Sequence, residues 1–98
     1  MTLHIILGKL TQAAIEHLDK IQERALNVEK LIGDTGGKFI ALYYTFGHYD
    51  FVMIVDMPSP EALAKFIFEL STWGTVTTET MTALLPEQIY EVVKQIDI

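Results

Sequence analysis

Six side chains have the types that binding or proton-transfer chemistry uses: His4, Tyr43, Tyr44, Asp50, Thr77 and Glu79. An imidazole and two carboxylates are potential bases, and the phenols and the hydroxyl are potential donors. They become an active site only where they come within hydrogen-bond reach of one another and of a substrate. An aspartate beside a turn, as Asp50 is, more often shapes that turn than does chemistry. His4, His17 and His48 fall on three separate elements without metal-ligand spacing, and the chain has no cysteine. No metal site is expected. The glycines at 33, 36 and 37 follow a helix rather than a strand, so they form no phosphate loop. No serine sits in a nucleophile elbow. No cofactor is expected.

The elements that must position these residues are legible from pattern. Residues 2–8, TLHIILG, read as a buried strand that places Leu3, Ile5 and Leu7 towards the helices and leaves His4 and Ile6 on the open side. Thr11 caps a helix whose apolar stripe runs through Ala14, Leu18, Ile21, Ala25, Val28 and Ile32. Such a helix reaches ~30 Å, and a kink near Asn27 is expected. Gly33 and Gly36-Gly37 end it. Lys38 to Asp56 then read as two strands folded back at a two-residue Gly47-His48 turn of type II′. That register pairs Phe46 with Tyr49, Tyr44 with Phe51, Leu42 with Met53 and Ile40 with Val55 on the helix side. It pairs Thr45 with Asp50, Tyr43 with Val52, Ala41 with Ile54 and Phe39 with Asp56 on the open side.

Ser59-Pro60-Glu61 is a strong helix start, and the helix runs to about Thr72 with Leu63, Phe66, Ile67 and Leu70 on its packing face. Ala64 and Phe68 lie partly outside that face. Residues 75–84 form a threonine-rich fourth strand. Glu79 is costly to bury under helices, which sends Thr75, Thr77, Glu79 and Met81 to the open side. Pro86 opens a last helix with Ile89, Val92, Val93 and Ile96 on one side.

The order β-α-β-β-α-β plus a C-terminal helix predicts one α+β domain over residues 1–98, of the ferredoxin-like kind. Right-handed crossovers give an antiparallel four-stranded sheet of order 4-1-3-2, with two helices on one face. The second face stays uncovered, although the first three strands are apolar at nearly every position. An antiparallel sheet facing water normally alternates apolar and polar residues. A second copy stacked sheet to sheet covers such a patch, so a dimeric α/β barrel is expected. A C-terminal helix folded back over the open face is the alternative.

Composition excludes several partners. Thirteen acidic residues against seven basic ones give a net charge of −6, and the basic residues are scattered. Neutralising phosphates needs a concentrated basic surface, so neither nucleic acid nor an anionic membrane is an expected partner. No apolar run approaches the ~20 residues of a membrane span. The start MTLHIILGKL has neither a basic region nor a cleavage site, which argues against a secretory signal. The absence of cysteine fits a reducing compartment, and a cytoplasmic location is expected.

At the hairpin the chain resembles the GYD domain family of small bacterial and archaeal proteins. The likeness rests on Gly36-Gly37-Lys38, on the run from Tyr43 to Val52 (YYTFGHYDFV), on Pro58, and on Trp73 to Met81 (WGTVTTETM). It departs at Thr77, where an arginine is the expected residue, and at Ser59, where an acid is. The resemblance implies a dimeric α/β barrel and no settled activity. The Gly-x-Tyr-Asp hairpin is also similar to the effector-sensing domain of Lrp/AsnC-type regulators, in which a ligand binds near that aspartate between subunits. No helix-turn-helix segment accompanies it here. Two functions are therefore carried forward. The first is a homo-oligomeric small-molecule-binding or regulatory module, with Asp50, Tyr43, Tyr44, His4, Thr77 and Glu79 as candidate ligand-binding residues. The alternative is a cofactor-independent isomerase or monooxygenase, which requires His4 or a carboxylate beside a cavity.

Overall fold

The computed structural model describes residues 1–97; Ile98, the last residue of the expected domain, lies outside them. The elements are β1 (Thr2–Leu10), α1 (Gln12–Ile15), a 3-10 turn (Leu18–Lys20), α2 (Ile21–Asp34), β2 (Lys38–Tyr44), β3 (Phe51–Met57), α3 (Pro60–Thr72), β4 (Val76–Ala83) and α4 (Pro86–Lys94). The strands form one antiparallel sheet of order β2-β3-β1-β4, which is the expected 4-1-3-2 order read from the other edge. The core lies between one face of this sheet and the helices α2 and α3. Ile6, Phe51, Met53 and Val55 meet Leu31, Ile32, Phe66 and Leu70 there.

The faces of β1 are the reverse of the expected ones. His4, Ile6 and Gly8 are buried on the helix side, and Leu3, Ile5 and Leu7 lie on the open side. A strand apolar at almost every position carries no alternation to reveal its faces, so the cause lies elsewhere. Gly8 pairs with Phe51. A Cβ at Gly8 would stand 2.0 Å from Cζ of the Phe51 ring, so the ring occupies the space above the glycine. Phe51 belongs to the core, and Gly8, Ile6 and His4 follow it to the same face.

The long first helix is interrupted. It breaks between Ile15 and Ile21 and is continuous through Asn27, where a kink was expected. The first turn is tied to the far end of the sheet: the Thr11 N–H donates to Thr75 O at 3.0 Å and its hydroxyl to Gly74 O at 2.7 Å. The chain re-aims through His17, and Leu18 leaves the apolar stripe to stand half exposed. The Arg24 guanidinium reaches back to Ala14 O at 3.0 Å, satisfying a carbonyl near the break.

The hairpin closes more widely than a two-residue turn. Its strands end at Tyr44 and Phe51. Gly47 lacks the positive φ that a type II′ turn needs at its first central position. Instead, the Thr45 N–H donates to Asp50 O at 2.8 Å and the Thr45 hydroxyl to Tyr49 O at 2.6 Å. Phe46, expected on the helix side, is fully exposed at the tip. Within the strands, Tyr44–Phe51, Leu42–Met53, Tyr43–Val52 and Ala41–Ile54 pair as expected. A bulge at Ile40 then shifts the register, so that Phe39 pairs with Val55 and Lys38 with Asp56. Phe39 therefore packs on the core and Ile40 stands out from it.

α3 starts as its sequence dictates, with the Ser59 hydroxyl accepting the Ala62 N–H at 3.1 Å and Pro60 in the first turn. Its Phe68 is exposed, in keeping with its place off the packing face. α4 does not fold back over the sheet. None of its residues is buried, and Ile89, Val92 and Val93 are 42 to 50% exposed. The radius of gyration is 15.4 Å; a compact chain of this length has about 13 Å. The longest dimension is 54 Å against 30 and 18 Å for the others, so the domain is elongated.

Candidate functional site

The six candidate residues fall into three groups. His4 is buried beneath the helices, not on the open face, as the reversed faces of β1 require. Its Nε2 is 2.9 Å from the Thr2 hydroxyl and its Nδ1 3.3 Å from the Thr82 hydroxyl. The Thr2 hydroxyl also donates to Met57 O at 3.4 Å. That network assigns the proton to Nε2, which donates to Thr2 Oγ1, and leaves Nδ1 accepting from Thr82. Both ring nitrogens are occupied, so the imidazole is a fastener between β1, β3 and β4. Tyr44 lies on the helix side of the sheet, as expected, with its ring half exposed.

Asp50 lies in the loop and its carboxylate is already used. Oδ2 accepts the Leu10 N–H at 2.8 Å, and the Asp50 N–H donates to Gly8 O at 2.8 Å. The side chain thus replaces the main-chain acceptor that β1 loses where pairing with β3 stops.

Tyr43, Thr77 and Glu79 share the open face. Leu7 pairs with Val52 on one side and Glu79 on the other, and Lys9 pairs with Thr77. Beside them is a residue that sequence reasoning assigned to the core: Tyr49. Its hydroxyl donates to Glu79 Oε2. This hydrogen bond to the carboxylate, then burial, then the Glu79 charge, raise the Tyr49 pKa above its ordinary value. The His48 ring meets the Tyr49 ring edge to face, with centroids 4.8 Å apart. Lys9 Nζ lies 6.0 Å from the Tyr49 centroid. Lys9, His48, Tyr49 and Glu79 therefore make a polar cluster at the hairpin end of an apolar sheet face. Only the wide loop brings Tyr49 there; no two-residue turn would.

Among the described residues, two of the cavities flank this sheet. One, of about 60 Å³, opens between α2 and α3 on the helix side. The other, of about 200 Å³, lies at the opposite end, where Leu3 and Asp56 of the sheet meet Leu85 and Gln88. Asp56 Oδ1 is buried there without a hydrogen-bond partner, although Lys38 stands opposite on β2. Neither cavity is lined by His4, Asp50 or Glu79. Among the described residues no three His, Cys, Asp or Glu side chains group as metal ligands. Among the described residues no helix is long and apolar enough to cross a membrane.

The comparisons with known proteins agree with this architecture. A curated relative from Thermus thermophilus is 34% identical over 85 residues, covering 86% of this chain and 90% of the relative. It is named glutamine synthetase and cystathionine beta-lyase binding protein. Two solved structures share the fold: MtbAldR, with a TM-score of 0.67 at 20% identity, and FFRP-DM1, with 0.62 at 21%. Each match covers 86% of this chain; it spans 52% of MtbAldR and all of FFRP-DM1. The GYD domain model matches residues 4–93, nearly the whole length, and the chain belongs to the GYD domain family.

Proposed function

We propose that this protein is a homo-oligomeric binding and regulatory module whose open sheet face pairs with a second copy. The observation that carries this reading is the uncovered face itself. Ile5, Leu7, Ala41, Val52 and Ile54 lie on it with no layer above them, and Tyr43 and Met81 on its outer strands are 62% and 41% exposed. An apolar antiparallel face is stable in water only when something covers it. The polar cluster of Lys9, Tyr49 and Glu79 at one end, with Thr77, then faces the partner subunit and supplies a place for a small polar metabolite. Asp50 supports that place through the loop and does not contact the metabolite by its carboxylate.

The regulated target is a metabolic enzyme, as the name of the Thermus relative suggests for that protein, and a cytoplasmic location belongs to the same reading. Binding is read with purified partners. The protein is immobilised and offered glutamine synthetase and cystathionine β-lyase from the same cell. Saturable binding to either supports the reading, and no response to both at micromolar concentration counts against the enzyme-partner part. The isomerase or monooxygenase alternative requires a cavity beside His4, Asp50 or Glu79, and no observation favours it.

A further inference from the structure

We propose that the cleft between α2 and α3 is a binding site for a small carboxylate bearing an apolar ring. The site lies across the sheet from the open face and does not depend on oligomer formation.

α2 contributes Ala25 and Val28 to the walls of the cleft and α3 contributes Leu70. The cleft holds about 60 Å³, more than the ~10–15 Å³ that admits one water and less than the ~150 Å³ of a cavity that encloses benzene, so a ring enters it only in part. Water is held poorly in such a space, because a largely apolar wall offers it few partners. An apolar body fills it better.

Four groups with polar tips line the same cleft: Arg24, Tyr44, Trp73 and Thr75. Tyr44 and Trp73 are 47% and 41% exposed. Arg24 donates to Ala14 O, which uses one of its five N–H groups. The ion pairs among the described residues are Lys20–Glu23 and Lys94–Glu91, so none of their carboxylates neutralises Arg24. A guanidinium and an indole N–H can only donate. The cleft therefore offers an apolar interior, a positive charge and donors, and it lacks an anion. A ligand that complements it brings acceptors, a negative charge and a ring. Arginine fits a carboxylate as a planar fork, whereas lysine acts as a point charge.

Trp73 is the only tryptophan of the chain, so its fluorescence reports on the cleft without a label. The full-length protein is titrated with 3-phenylpropanoate and, separately, with the neutral 3-phenylpropan-1-ol. The expected result is a saturable change with the acid and a weaker one with the alcohol. Arg24→Gln should weaken the acid about tenfold, as loss of a charged hydrogen bond does, and leave the alcohol unchanged. Val28→Phe, which fills the cleft, should abolish both responses with the far-UV spectrum intact. If that variant does not fold, Arg24→Gln on the partly exposed helix face still decides. Equal affinity of the acid for Arg24→Gln and the parent overturns the proposal. So does a parent without saturable response, or amide shifts confined to open-face residues such as Val52 and Thr77. A protein that proves monomeric yet binds the acid as described leaves this inference standing while removing the paired-sheet reading.

Discussion

The Asp50 carboxylate accepts the main-chain N–H of Leu10 at 2.8 Å, just where the ladder between β1 and β3 runs out. One side chain thereby holds the wide hairpin loop against the first strand. Asp50→Ala leaves the part-buried Leu10 N–H without its acceptor, a cost of about 1–3 kcal/mol. Asp50→Asn keeps an acceptor oxygen in place and should lose less. Urea unfolding of the three proteins checks this ranking. An alanine variant as stable as the parent would show that the loop does not depend on this contact.

The packing of Phe51 over Gly8 gives a second test. Gly8→Ala puts a methyl group within 2.5 Å of three ring atoms, and overpacking of this kind costs about 1–3 kcal/mol. Phe51→Leu removes the ring and should relieve the clash. The double variant is then less destabilised than the sum of the single ones, a coupling that a double-mutant cycle measures. Strict additivity would mean that the ring does not set the face of β1.

The Tyr49–Glu79 hydrogen bond predicts a pH dependence with a definite sign. The folded-state pKa of Tyr49 lies above its ordinary value near 10, chiefly because the hydroxyl donates to a carboxylate. The pair's contribution is therefore fully present below pH ~10 and is lost as pH rises through the raised value. The difference in unfolding midpoint between the parent and Tyr49→Phe should stay constant from pH 7 to 9 and shrink above 10. In absorbance titrations, Glu79→Gln should bring the Tyr49 transition back down. A difference that grows with alkalinity contradicts the assignment.

Much of the architecture could be read from the sequence because local chemistry announces it. Ser59-Pro60 starts α3, Thr11 caps α1 with its hydroxyl accepting the Ala14 N–H at 3.3 Å, and Gly36 ends the α2 turn at a φ of +83°. Register between Tyr44–Phe51 and Ala41–Ile54 followed from pairing alone. What escaped is long-range. The face of β1 depends on the Phe51 ring over Gly8, a contact between residues 43 positions apart. The break before Ile21 depends on Thr11 meeting residues 74 and 75, and neither glycine nor proline marks it. The site suffered most, because reversing β1 moved His4 inside and widening the loop brought Tyr49 out.

Sedimentation equilibrium at micromolar concentration reads out pairing of the open sheet face with a second copy. Such pairing predicts a mass that is a whole multiple, two or more, of the 11.1 kDa chain. It also predicts that Ile54→Asp, at the centre of the open face and away from the core, reduces that mass to 11.1 kDa while the far-UV spectrum is kept. A parent protein that sediments at 11.1 kDa across the micromolar range would contradict it.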